Sequence, residues 1–312
     1  MPWKQGYTIS DEISLADAAL RWPNEARCAV SITVDLSQAS GPAGITPADL
    51  RTSPSYFGMH QGLDLLLEVL AEYGHKATFA VPAAIAAIMP ARIRAIQAAG
   101  HEIAAEGLKH EDTSKMPRAE EKARMERALA ILADTTGQRP QGWYCLPRQG
   151  DSYAVGTISP NTVDLALEAG LTYLGNGLAD DIPHYWVTDF ASRRALLTMP
   201  YYYHYDDQWF CMFPSDGTGL EHSDMLFRNW AAEFSAQYRR GRLFHMVLHP
   251  QHIGWCNRLQ RLEDFFQLLR DHPGLWNPTN AALAAHWQAR YPAATHLRLA
   301  PSVWRDYPGS LS

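Results

Sequence analysis

Short apolar runs alternate with amphipathic helical stretches along the whole chain, and this alternation limits the fold more than any other feature. CAVSITVDL at 28–36 reads as a buried strand, since a short, β-branched, continuous apolar run suits a strand covered on both faces. Gln61–Gly74 follows as a helix with Leu63, Leu66, Leu67 and Leu70 on one side. KATFAV at 76–81 is the next strand, a helix runs from Pro90 to Gly100, and His101–Ala105 is a third strand. Arg118–Leu132 reads as a charged helix with Met125, Leu129 and Leu132 on one face. In the second half, Ser159-Pro160 opens a helix that stops at Gly170. Leu171–Leu174, Leu196–Tyr203 and Leu243–Leu248 read as strands. Ser223 caps a helix carrying Leu226, Trp230, Phe234 and Tyr238, and Arg258–Arg270 and Thr279–Ala289 are further helices. Such alternation implies a largely parallel α/β sheet, either doubly wound or closed as a barrel.

With no low-complexity linker, the 312 residues are expected to form a single catalytic domain, its core at about 22–290. The net charge of −6 argues against a nucleic-acid partner or an anionic membrane. MPWKQGYTISDEISLADAALRW lacks a basic start followed by an apolar core, so no secretory signal is visible, and no run reaches membrane-spanning length. The expected location is cytoplasmic. Cys28, Cys145, Cys211 and Cys256 match no zinc spacing and read as reduced thiols, with Cys145 nearest the reactive residues. No Gly-rich phosphate loop follows a strand, which disfavours a nucleotide cofactor, and there is no G-x-S-x-G elbow.

In parallel α/β folds, reactive side chains gather at the carboxyl ends of the strands. That rule selects Asp35, then Glu106 and His110 in HEIAAEGLKHED, then YYYHYDDQWF at 201–210, and His249 in LHPQHIGW. Each has a plainer reading alone, as a turn cap, a solvated pair, sheet core or a satisfied buried histidine. Their common position on one rim is what favours chemistry.

Read in order, CAVSITVD, KATFAVP, GHEIAAEGLKHED, RPQGWY, SPNTVDLALEAG, MPYYYHYDDQWF and LHPQHIG resemble the motifs of the polysaccharide-deacetylase (NodB-like) superfamily. The likeness runs from about Trp22 to Trp287 and is nearest the branch of peptidoglycan-deacetylase-like proteins, cyclic imidases and metal-independent allantoinases. It implies a distorted seven-stranded (β/α) barrel, a homo-oligomer (often a tetramer) and a site built on two aspartates and two histidines. Asp35 falls on the family's general base. Ser37 falls on a ligand aspartate, Glu106 on the first ligand histidine, and His110 on the second. The usual Asp-His-His site for zinc or another divalent metal is therefore incomplete, leaving a shifted site of Asp35, Glu106 and His110 as the alternative. Tyr144 replaces an arginine for which Arg148 is close enough to substitute, and Gln149–Thr157 looks like an insertion.

These residues imply a hydrolase of a non-peptide carbon–nitrogen bond in a small amide, cyclic imide or ureide. Asp35 is the expected base and His249 the acid, on opposite sides of the carbonyl, with Glu106 as base if Asp35 is not. Arg148, Asp206 and Asp207 are expected to set orientation and pKa. Trp143, Tyr202, Tyr203 and Trp209 are expected to wall a flat substrate. Two alternatives stand beside this: a metal-dependent glycan N-deacetylase, and a degenerate barrel that binds a small ligand without turnover.

Overall fold

The computed structural model describes residues 15–148, 150–151, 158–177, 180–189, 192–211 and 223–297. One sheet contains β1 (Cys28–Asp35), β2 (Thr78–Val81), β3 (Glu102–Ala105), β4 (Gly142–Trp143), β5 (Tyr173–Gly177), β6 (His184–Asp189), β7 (Arg194–Pro200), β8 (Leu243–Leu248) and β9 (Leu275–Trp276). The order is β6-β7-β5-β4-β3-β2-β1-β8, with β9 beside β1. All these pairings are parallel except β6 with β7. With its covering helices this is the distorted α/β barrel that the motifs imply. The hydrogen-bonded ladder stays open between β7 and β8, where a single parallel bridge, Asp206 to Val247, spans the seam.

Strand periodicity sorts the side chains onto two faces. Val30, Ile32, Val34, Phe79 and Trp143 pack outward with Leu66 and Leu129 of the covering helices. Burying such side chains contributes about 1.5–3 kcal/mol each. Ala29, Ala80 and Ala104 face inward, where their small size leaves room for Tyr144, Tyr173 and Tyr201. The same period carries Asp35, Glu106 and His249 inward at the upper ends of β1, β3 and β8.

The lower end is closed by the helix Asn280–Arg290, capped by Thr279. Asn280 N donates to Thr78 Oγ1 at 2.7 Å, and Ala281 N donates to Glu102 Oε2 at 2.8 Å. Tyr173 donates to the other Glu102 oxygen at 2.8 Å, and Asn280 Nδ2 reaches the Tyr144 hydroxyl at 2.6 Å. A half-buried carboxylate at a helix N-terminus, with partners on both oxygens, is a satisfied structural group.

Several expectations need correction. Trp143 is not a substrate wall: it faces the helices, because the next residue, Tyr144, takes the inward position. Cys145 likewise packs outward, with burial pushing its thiol up. β7 stops at Pro200, and Tyr203–Tyr205 turn as a 3-10 helix. The charged helix runs about a turn further than its sequence pattern, to Thr136. Of the expected insertion Gln149–Thr157, only 150–151 lie among the described residues.

Candidate active site

Asp35 ends β1, and its Oδ1 accepts the backbone N–H of Ser37 at 2.5 Å. Its Oδ2 lies 3.2 Å from His249 Nε2 at the end of β8. That contact is short but misaligned, so Nε2 completes no hydrogen bond. His249 Nδ1 is held by Asp207 Oδ1 at 2.7 Å, with Asp206 Oδ1 at 3.4 Å. The backbone N–H of His249 also donates to both Asp207 oxygens, at 3.0 Å each. Asp206 in turn accepts the Tyr201 hydroxyl at 2.7 Å. The expected opposition of Asp35 and His249 across a carbonyl is corrected: the two side chains lie against each other.

Glu106 follows β3 and is fully buried. Oε1 is 3.4 Å from the Leu146 N–H and 3.7 Å from His110 Nε2, while Oε2 has no hydrogen-bond partner. His110 sits after a tight turn with φ of 56°, a left-handed conformation uncommon outside glycine. Its Nδ1 is 2.6 Å from Ser37 Oγ and its Nε2 is 2.7 Å from the Leu146 carbonyl oxygen. Asp35, Glu106 and His110 each present a potential ligand atom within 4.8 Å of the others, as do Asp206, Asp207 and His249.

The charges follow from burial and neighbours. Burial pushes the Asp35 carboxyl up, but His249 and His110 more than offset this and hold it down at about 2. Burial and the Asp35 charge together drive Glu106 well up. Burial would lower His249, yet Asp206, Asp207 and Asp35 push it well up, toward an imidazolium. Burial raises Asp206 to about 7 and lowers His110 toward the neutral ring.

The other expected site residues divide. Arg148 is buried beside this cluster, its guanidinium on Asp151 at 2.8 Å and 3.5 Å from the His110 carbonyl. Asp206 and Asp207, expected to set orientation and pKa, lie against the His249 ring. The Trp209 indole donates to the Tyr201 hydroxyl at 3.3 Å, which places it behind Asp206. Tyr202 is partly buried, and Tyr203 is 47% exposed with its ring against His204. Sequence reasoning missed His252, which is buried with its ring 5.7 Å from that of His249 and its Nε2 unpartnered. It also missed the Leu146 carbonyl, which has no side-chain signature.

The sequence profile of the polysaccharide deacetylase family matches residues 57–174. A peptidoglycan deacetylase-like protein of Gibberella zeae is 23% identical over 282 residues, 81% of this chain and 82% of that protein. PuuE allantoinase superposes with a TM-score of 0.73 and 26% identity, covering 87% of this chain and 93% of that one. A probable polysaccharide deacetylase from Pseudomonas aeruginosa PAO1 gives a TM-score of 0.74 and 26% identity, covering 87% and 94%. The profile match, the curated relative and the near full-length structural likeness together support the polysaccharide-deacetylase (NodB-like) superfamily. The family and these neighbours are named as deacetylases and an allantoinase, hydrolases acting on carbon–nitrogen bonds other than peptide bonds. Superfamily members are typically metal-dependent, which makes the donor set around His110 the point to test.

Proposed function

We propose that this superfamily member hydrolyses a carbon–nitrogen bond in a small cyclic amide, imide or ureide, and does so without a metal ion. Asp35 is the base toward water, Glu106 a neutral hydrogen-bond donor to the carbonyl oxygen, and His249 the acid to the leaving nitrogen. The observation carrying this reading is Glu106, buried against the Asp35 carboxylate with Oε2 unpartnered. A carboxylic acid kept neutral by its surroundings donates a hydrogen bond where a metal would otherwise polarise the carbonyl. Such preorganised donors contribute typically about 100- to 1,000-fold in rate.

A zinc ligand must offer a lone pair. At His110, Nε2 lies 2.7 Å from a carbonyl oxygen, a contact that only an N–H sustains, and the Nδ1 lone pair takes the Ser37 hydroxyl. No lone pair of the ring is left for an ion beside Asp35 and Glu106. The residues around His110 therefore do not fit zinc or another divalent cation.

In the reaction, Asp35 takes a proton from water as its oxygen attacks the carbonyl carbon. His249 Nε2 gives its proton to the nitrogen as the carbon–nitrogen bond breaks, and Asp35 refills His249 across their contact. Asp207 fixes the ring by holding Nδ1. The deep burial of Asp35, Glu106 and His249 supports a small substrate over a long glycan.

The test uses protein purified without added metal, assayed with and without EDTA on hydantoins, cyclic imides, allantoin-like ureides and N-acetylated chito-oligosaccharides. The expected result is EDTA-resistant ring opening or ureide hydrolysis, with metal content well below one equivalent. EDTA-sensitive acetate release from the oligosaccharides would sink the proposal. Tight binding of a panel member with no turnover would instead point to the degenerate binding barrel.

A further inference from the structure

We propose that Ser37 is a nucleophile, that Ser37 and His110 form a catalytic dyad, and that the reaction proceeds through an ester on Ser37. This rests on the proposed carbon–nitrogen hydrolysis and revises its first step: Ser37 attacks the substrate, and the water activated by Asp35 attacks the ester instead.

In the neutral His110 ring, the direction of each hydrogen bond in the dyad follows from its partners. Because His110 Nε2 must carry a hydrogen to face the Leu146 carbonyl at 2.7 Å, Nδ1 of the neutral ring holds the lone pair. Ser37 Oγ, 2.6 Å from Nδ1, is therefore the donor, and its own lone pair accepts the Ala39 N–H at 3.2 Å. A hydroxyl donating to an imidazole whose far nitrogen is oriented by a third group is the pattern of an activated nucleophile. Here a backbone carbonyl does the orienting. The left-handed backbone of His110 is conformational strain of the kind that gathers at functional sites.

The chemistry balances. Ser37 Oγ attacks the carbonyl carbon while its proton passes to His110 Nδ1. The carbonyl π pair moves to oxygen, facing the Glu106 acid. As the pair returns, the carbon–nitrogen bond breaks and the nitrogen takes the proton of His249 Nε2. Water then attacks the Ser37 ester and gives its proton to Asp35, which passes it to His249. The carbon–Oγ bond breaks, and His110 returns its proton to Ser37. The net reaction consumes one substrate and one water.

Diisopropyl fluorophosphate and 4-nitrophenyl acetate are suitable probes, since each modifies an activated serine regardless of its natural substrate. Mass spectrometry of the full chain is expected to find the adduct on the Ser37 peptide. It should be absent from Ser37→Ala and form at least about tenfold more slowly in His110→Gln. On a substrate from the panel, Ser37→Ala should lose at least about 100-fold in kcat. As a second variant, Ser37→Cys should accept iodoacetamide at position 37, and circular dichroism should show each variant folded. A Ser37→Ala enzyme keeping more than half its kcat overturns the dyad and leaves the hydrolase reading intact. Wild-type protein left unmodified by both probes also overturns the dyad. Labelled Ser37 with no panel member hydrolysed supports the dyad and removes the substrate reading instead.

Discussion

Glu106 stands where the superfamily resemblance places a ligand histidine, and the proposed function makes it a proton holder. A carboxyl surrounded by protein and facing Asp35 stays uncharged, because a second negative charge there would be neither solvated nor paired. Glu106→Gln keeps a donor at the same place and is expected to lose about tenfold in kcat. Glu106→Ala removes it and should lose at least about 100-fold, the usual cost of an oxyanion donor. Wild-type activity should also fall at alkaline pH as Glu106 ionises, and this limb should vanish in Glu106→Gln. Steady-state kinetics from pH 6 to about pH 10 checks this, given an upward shift from the ordinary carboxylate range. Identical profiles for wild type and Glu106→Gln would remove Glu106 from the chemistry. The convergence of Asp35, Glu106, His110 and His249 was legible in the sequence because each follows an apolar run. Ser37 was legible only as a lost ligand, since its bond to His110 needs two loops of separate strands to meet.

At the scale of elements, the site depends on how the short helix Pro250–Ile253 is seated after β8. It lies on the π-helical turn Gly58–Gly62, where a Cβ on Gly62 would strike the Pro250 carbonyl. Gln251 of that helix donates to the Ser37 carbonyl at 3.2 Å, so the seat also steadies the loop that carries the dyad. Gly62→Ala is therefore expected to destabilise by about 1–3 kcal/mol, as overpacking does. It should also lower kcat by more than the distant Gly137→Ala, whose site is open around the Cβ but strained at φ of 73°. Thermal melts and kinetics on both variants decide it, and equal kcat would show the seat to be structural alone. Long periodic segments such as Ser223–Arg240 were readable from side-chain spacing. β4 and β9 are two residues each, too short to leave a pattern. β6 was missed because strand–helix alternation announces parallel neighbours, whereas β6 folds back on β7 as an antiparallel hairpin.

Across the whole molecule, the buried charges couple stability to pH. Glu106, Asp206 and His249 hold their protons more tightly folded than unfolded, so the stability they contribute is full below their unfolded values. It is lost as pH rises through the folded ones, about 7 for Asp206 and higher than ordinary for the other two. Asp35 works the other way: its contribution is present above the usual aspartate value and disappears only as pH falls toward about 2. Melting temperature should therefore decline as pH is raised from about 7 to 9, above the range where His101, His184 and His245, each lowered by burial to about 4, work the other way, and Asp206→Asn should flatten the part of the decline near pH 7. A melting temperature that climbs steadily over this range would contradict it. Asp206 also stands at the seam, where one bridge to Val247 joins the first and last parts of the sheet. His249 leans on Asp206 and Asp207, so its orientation depends on this sparsely bridged joint. Heat should then uncouple work from shape: catalysis dies when the joint parts, while far-ultraviolet dichroism still reports an intact protein. Inactivation and melting become two clocks, the first running several degrees ahead of the second.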